Sequence, residues 1–349
     1  MKILITGNMG YLGPIVVDWL LGAYPEVEII GFDMGYFAHC MAGVKMLPEC
    51  RIHRQYFGDV RSISEEIFNG VYAVVHLAAI SNDPMGDFFR EPTFQINGQA
   101  TVEIGRKAKK AGVRSFVYAS SCSIYGAAAD DARSESAPLN PLTAYARSKV
   151  HSERELEKIA DEKFIVTSLR FSTACGVSER LRLDLVLNDF VASAVALKRI
   201  SVLSDGSPWR PLIHVKDMAR AIDWGVSRQS DPSNSFLAVN VGRDDWNYQV
   251  RDLAGAVADM MPGVEVSINR NAQPDRRSYK VNFELFKSLA PEFQPQYDLN
   301  ETIMELKEVM EEIYFHNPEF QRSSLIRLKV LKSYVDDGIL DSDLKWIRK

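Results

Sequence analysis

Tyr145 and Lys149 stand four residues apart in 143–161, where apolar residues recur at three- and four-residue spacing. A helix there would set a phenol and an ammonium on one face. A phenol with an ordinary pKa of about 10 is a poor base at neutral pH, and a neighbouring cation stabilises its phenolate and draws the pKa down. Such a pair could exchange a proton with a hydroxyl of a bound ligand, while the lysine also holds that ligand in place. This is the chain's only Tyr-x-x-x-Lys, but with 13 tyrosines the spacing alone carries little. Context adds weight: the pair follows Ser120-Ser121-Cys122-Ser123-Ile124-Tyr125-Gly126, whose hydroxyls can face the same carbon.

A second group lies at the front. Gly7-Asn8-Met9-Gly10-Tyr11-Leu12-Gly13 follows an expected strand and opens an expected helix. Glycines there let the backbone turn tightly, approach a pyrophosphate without an intervening Cβ, and pack helix on strand. The phosphates would then meet N–H groups at a helix N-terminus. Asp33 closes the second expected strand, 20 residues after Gly13, where a carboxylate accepts from ribose hydroxyls and repels a 2′-phosphate, favouring NAD over NADP. Gly58-Asp59-Val60 and Leu77-Ala78-Ala79 end the third and fourth strands and would line the rest of the cofactor.

These residues need a frame. Short β-branched runs at 2–6, 27–33, 52–58, 73–77, 115–119 and 164–170 alternate with helical patterns at 11–23, 96–111 and 143–161. That alternation predicts an α/β fold, a Rossmann-type doubly wound parallel sheet. Beyond 175 the rhythm changes to a helix at 185–198, a turn at 204–208, a strand end at 213–215, a helix at 217–225 and a strand at 238–241. Two helical patterns after 300 are split by His316-Asn317-Pro318. The chain is expected to form an NAD-binding domain from 1–174 plus about 212–242. A smaller α/β substrate domain would come from about 175–211 plus 243–349.

The composition excludes other classes. Of 349 residues 46% are hydrophobic, enough for a large core, and the net charge of −5 argues against a broad nucleic-acid or membrane surface. The apolar run at 71–80 is too short to span a bilayer. The first residues run straight into a strand, unlike a signal peptide, so a cytoplasmic location is expected. Four cysteines and six histidines show no metal-ligand spacing, so neither zinc nor a disulfide framework is expected.

Taken together, the glycine turn, Asp33, Gly58-Asp59-Val60, His76-Leu77-Ala78-Ala79, Ile96-Asn97, Ser121, Tyr145/Lys149, Leu169-Arg170-Phe171 and Arg210-Pro211-Leu212-Ile213-His214-Val215 resemble the extended short-chain dehydrogenases/reductases. Within these the similarity is to the NAD-dependent nucleotide-sugar epimerase/dehydratase family, of which UDP-glucose 4-epimerase is a familiar relative. The resemblance implies tightly held NAD and a catalytic triad of Ser121, Tyr145 and Lys149. It implies cofactor contacts from Gly7, Gly10, Tyr11, Leu12, Gly13, Asp33, Asp59, Val60, Leu77, Ala78, Ala79, Asn97 and Phe171. For a nucleotide-diphosphate sugar it implies Ser81, Ser121, Thr173, Asn188, Arg210 and Arg277, with Arg276 as a neighbour. A homodimer through the helices at 96–111 and 143–161 is also implied, and 319–349 extends past the family's usual end.

Departures from the family pattern narrow the chemistry. Dehydratases carry Asp-Glu after the hydroxyl residue; here Cys122 and Ser123 stand there, which disfavours dehydration and decarboxylation. Segment 180–190 is closer to branches acting on other nucleotide sugars, including heptose-type ones, so nucleotide and sugar stay open. Arg180 and Arg182 read equally as diphosphate ligands or as solvated charges. His214 and Cys122 read as structural, and Trp209 as core. The expected activity is C4 epimerisation through a 4-keto sugar. The alternatives are a 4-dehydrogenase or 4-keto reductase using the same residues, or a noncatalytic NAD sensor.

Overall fold

A computed structural model describes residues 1–127, 131–229, 234–272, 277–313 and 315–347. The chain begins β1 (Lys2–Thr6), α1 (Gly13–Ala23), β2 (Glu28–Asp33), β3 (Arg54–Phe57), β4 (Ala73–His76), α2 (Asp83–Phe88) and α3 (Arg90–Thr93). It continues with α4 (Thr101–Lys110), β5 (Ser115–Ser121), α5 (Ala144–Ile159), β6 (Ile165–Phe171), β7 (Thr173–Cys175), α6 (Val186–Leu197), β8 (Arg199–Val202) and β9 (Trp209–His214). Then come α7 (Val215–Ser227), β10 (Phe236–Val241), β11 (Asn247–Gln249), α8 (Val250–Asp259), β12 (Glu265–Ile268), α9 (Glu284–Leu289), α10 (Leu299–Glu312) and α11 (Arg327–Asp336).

Seven parallel strands form the main sheet in the order β10-β6-β5-β4-β1-β2-β3. Every residue of β4 and β6 is buried, as parallel strands covered on both faces require. After the smaller sheets begin at β7, the chain returns: α7 packs on α1 and β5, and β10 closes the edge beside β6. Asp223 of α7 fixes this return by accepting from Trp19 Nε1 at 2.9 Å and the Tyr24 hydroxyl at 2.6 Å.

Helix α5 is fastened by a buried carboxylate. Glu153, 4% exposed, accepts from the hydroxyls of Ser120 on β5 at 2.6 Å and Ser168 on β6 at 3.0 Å. Its second oxygen meets Arg170 Nη2 at 2.8 Å. Arg170 reaches on to the Tyr125 hydroxyl at 3.1 Å.

Two features add detail to the expected layout. The helix expected at 96–111 is compound: α3 leads into a wider π-helical stretch at Phe94–Ala100 before α4. There the Asn97 carbonyl accepts from Ser152 on α5 at 2.7 Å, while its side chain bonds Ile80 in both directions. The C-terminal tail does not sit wholly with the substrate elements. Leu331, Leu340 and Leu344 are buried in the same core as Leu4, Ile30 and Val74 of the main sheet.

Replacing Glu153 with alanine is expected to leave Arg170 buried without its counter-charge and to cost about 3–5 kcal/mol in urea unfolding. Replacing both residues with leucine and methionine should recover much of that loss.

Candidate active site

The carboxyl ends of β1, β2, β4, β5 and β6 open into one cleft of about 820 Å³. At its base Gly7 has φ +79°, and a Cβ there would come within 2.5 Å of the Ala78 nitrogen. Gly10 can take no Cβ without pressing the Gly7 carbonyl at 3.2 Å. Helix α1 starts at Gly13 with no side chain capping it from Leu12, leaving its positive end to an anion. Gly13 itself lies behind the wall, where it allows the helix to touch Asn8. Asp33 holds the turn: Oδ1 accepts from Gly35 N–H at 2.8 Å and Oδ2 from Met9 N–H at 2.9 Å. Burial pushes its pKa up against those two donors. A second lone pair on each oxygen suits ribose hydroxyls. Asp59, Val60, Leu77, Ala78, Ala79 and Phe171 line the same cavity. A backbone cradle that a Cβ would fill, with a carboxylate one strand away, fits NAD.

Ser121, Tyr145 and Lys149 also line it. The Ser121 hydroxyl accepts from Ser123 N–H at 3.1 Å. Lys149, 3% exposed, donates to the Ala119 carbonyl at 2.6 Å and lies 5.5 Å from the Tyr145 ring centre. Burial lowers its pKa to about 7 against the pull of Glu153. Burial, with Asp83 nearby, raises Tyr145 to about 12, while the Ser121 hydroxyl and the charge of Arg182 pull it down. Arg182 thus adds a second cation to Lys149, whose ammonium lies beside the Tyr145 ring and donates to the Ala119 carbonyl.

The residues expected to hold substrate separate into two groups. Ser81, Thr173, Arg210 and Arg277 line the cleft. Ser81 accepts from Arg182 Nη1 at 2.8 Å, and Arg182 is itself clamped by Asp184 through Nε and Nη2, each at 2.9 Å. Arg277 Nη1 reaches Asp83 at 3.2 Å, and Arg210 donates to the Arg277 carbonyl. Asn188 lies behind the wall with its amide taken up by Gly176 N–H, the Tyr11 hydroxyl and the Arg182 carbonyl. Tyr11 lines the cleft, but its hydroxyl donates to the Gly176 carbonyl at 2.5 Å. Asn97 is likewise off the wall, positioning Ile80. Arg180 is fully buried against Glu49, and Arg276 lies outside the described residues.

His214 is structural: Nδ1 accepts from Lys216 N–H, Nε2 faces Glu305 at 2.8 Å, and the ring stacks on Tyr297. Cys122 is buried and donates to the Arg170 carbonyl. Asp83 was missed by sequence reasoning. Its signal was Asn82-Asp83-Pro84, a helix start directly after a strand that ends at the cleft. Ser172 also went unnoticed; among the described residues its buried hydroxyl and that of Ser123 have no hydrogen-bond partner, and both residues line the cavity.

Residues 3–242 match the model of the NAD dependent epimerase/dehydratase family. The UDP-glucose 4-epimerase of Streptomyces lividans is 28% identical over 274 residues, 73% of this chain and 80% of that protein. The UDP-glucose 4-epimerase of Haemophilus influenzae is 29% identical over 280 residues, 73% of this chain and 81% of that one. Among solved structures, MoeE5 in complex with UDP-glucose and NAD superposes with a TM-score of 0.76 at 23% identity, covering 89% of this chain and 99% of that one. That likeness shows the fold.

The lowered pKa of Lys149 has a stability consequence. The folded protein releases this proton near pH 7 and the unfolded chain near 10.5, so between those values the unfolded state holds more protons. Relative to Lys149→Met, the wild-type protein is therefore expected to gain stability as pH rises from about 7 to about 10, by a few kcal/mol at most. Urea midpoints across that range check it; parallel curves for the two proteins would mean a solvated ammonium.

Proposed function

The chain belongs to the NAD-dependent epimerase/dehydratase family, and on that premise we propose that it is a C4 epimerase of a nucleotide-diphosphate sugar. The observation that carries this reading is the gathering of Ser121, Tyr145 and Lys149 on one wall of a cleft continuous with the glycine turn. When bound, NAD supplies the acceptor and donor of hydride for the sugar carbon. Tyr145 takes the proton from the sugar's O4 as C4 is oxidised, and returns it to O4 when the 4-keto sugar is reduced on its opposite face. Ser121 steadies that oxygen, and Lys149 holds the cofactor's ribose. Arg210 and Arg277 anchor the diphosphate so that the sugar alone turns over.

Epimerisation is favoured over dehydration by the two residues after Ser121. Cys122 is turned into the core, and burial pushes its thiol pKa up, so it offers no acid. Ser123 brings only a hydroxyl. The nearby carboxylate, Asp83, accepts the Thr143 hydroxyl at 2.6 Å and pairs with Arg277. It is therefore occupied in holding the start of α5 and a wall of the site. The relatives named above act on UDP-glucose, which makes UDP-sugars the first to try. The faces of α4 and α5 are the surfaces through which we expect two copies to pair.

The test is product analysis by NMR with a panel of nucleotide sugars. Interconversion of C4 epimers without net NADH is the expected result. Accumulation of a keto sugar with stoichiometric NADH would make the protein a dehydrogenase, and no turnover by any sugar would overturn the reading. Tyr145→Phe is expected to lower turnover by about 10²–10⁴-fold while NAD stays bound.

A milder variant probes positioning. A Cβ at Gly86 would lie 2.8 Å from the Tyr145 Cβ, so Gly86→Ala must shift the catalytic helix. Turnover is expected to fall by up to about 100-fold, more than affinity for the sugar.

A further inference from the structure

The tail beyond residue 319 forms a strap over the cofactor side of the cleft. At one end the Leu325 carbonyl accepts from Leu183 N–H at 3.0 Å. Arg327, at the start of α11, donates to the carbonyls of Ser324 at 2.9 Å, Arg180 at 2.7 Å and Leu181 at 3.1 Å. At the other end Trp346 Nε1 donates to the Met34 carbonyl at 3.0 Å, and the Tyr36 hydroxyl donates to the Leu344 carbonyl. Met34, Tyr36 and Phe37 directly follow Asp33 and line the cleft. The strap is therefore tied down on the loop beside the cofactor's ribose position.

Arg327 is the charged group that the strap brings to this wall. Its guanidinium is 1% exposed, lines the cavity and lies 5.0 Å from the Phe37 ring centre. Two arginines nearby are neutralised in place, Arg180 by Glu49 and Arg182 by Asp184. Among the described residues no carboxylate pairs with Arg327, whose partners are backbone carbonyls. Burial, with the like charges of Arg182 and Arg180 and against the opposing pull of Cys40 and Asp184, lowers its pKa to about 10. A buried cation in such a setting is costly until an anion answers it.

We propose that Arg327 is a cofactor-binding residue whose charge is answered by the diphosphate of NAD, and that strap docking and cofactor binding stabilise each other. The diphosphate is the cofactor's because the segment holding Arg327 is seated on the glycine turn. Ser178 donates to the Tyr11 carbonyl at 2.6 Å, and Arg180 donates to the carbonyls of Phe37 and Ala38. Arg210 and Arg277 reach the cleft from a different part of the chain, with Arg277 paired to Asp83. The linkage is reciprocal: whatever NAD gains from a docked strap, the strap gains from bound NAD. This inference rests on the cofactor and not on which sugar is turned over.

The full-length wild-type chain, Arg327→Met and Arg327→Lys are titrated calorimetrically with NAD and with ADP-ribose, which carries the same diphosphate without nicotinamide. Arg327→Met is expected to weaken both by about 10- to 100-fold, the loss of a charge-assisted hydrogen bond, and Arg327→Lys to recover part of it. Amide hydrogen exchange across 320–347 should slow when NAD is added to the wild type. Unchanged affinities in a folded Arg327→Met protein would overturn the proposal. So would wild-type strap exchange indifferent to NAD, a result that needs no variant to fold. Loss of epimerisation with NAD affinity intact would count against the proposed reaction instead.

Discussion

Glu153 carries the constraint on which the site depends. Tyr145, Lys149 and Glu153 succeed one another at four-residue intervals along α5, so fixing the last in rotation and depth fixes the other two. Glu153 enters a dry space between β5 and β6, where an unpaired carboxylate would be prohibitive. It is accepted there because Ser120, Ser168 and Arg170 meet both oxygens. Ser120 is the residue before Ser121. One buried carboxylate thus sets the phenol, the ammonium and the Ser121 hydroxyl in a common frame. Its charge also offsets, in part, the burial that lowers the pKa of Lys149. Replacing the whole network with packed apolar groups could retain the fold, but it would remove the directional contacts that give α5 one position against the sheet.

Much of this was legible in the sequence because backbone periodicity and glycine sterics are local. The bounds of β1 were read without error, and the glycine turn was recognisable from its place between strand and helix. The pairing of phenol and ammonium is evident from a spacing of four. What stayed hidden was which partner each polar side chain would find. Asn188 and Asn97 match family positions, yet their amides are consumed by Gly176, Tyr11 and Ile80. Arg180 and Arg182 looked alike two residues apart. One is sealed against Glu49, and the other is turned to Ser81 and the cleft. Those outcomes depend on contacts more than 100 residues away in sequence. The tail was opaque for the same reason, since its apolar residues carry no mark of the sheet face they cover.

The charges in the cleft show how a chain with a net charge of −5 can still present cations to a phosphate-bearing ligand. Its cations are local and each is aimed. Asp184 orients Arg182 by gripping two of its nitrogens, leaving Nη1 for Ser81, and Asp83 meets one nitrogen of Arg277, Nη1, at 3.2 Å. The carboxylates beside Arg182 and Arg277 lower the cost of holding these two guanidiniums in the wall and fix their direction before any ligand arrives.

That arrangement bears on the proton that Tyr145 must move. With the phenol at about 12, deprotonation at neutral pH is uphill, and each unit by which a nearby cation lowers it is worth about 1.4 kcal/mol. Arg182 is a cation acting in that direction, and its placement is inherited from segment 176–185. The same segment donates to Tyr11, is salt-bridged to Glu49 through Arg180, and is bonded from above by Leu325 and Arg327. A displacement of that segment would move Arg182 relative to the phenol without touching either residue's identity. In the proposed reaction, proton transfer at Tyr145 is therefore set from two sides, by Glu153 beneath the helix and by the braced segment that carries Arg182 across the cleft.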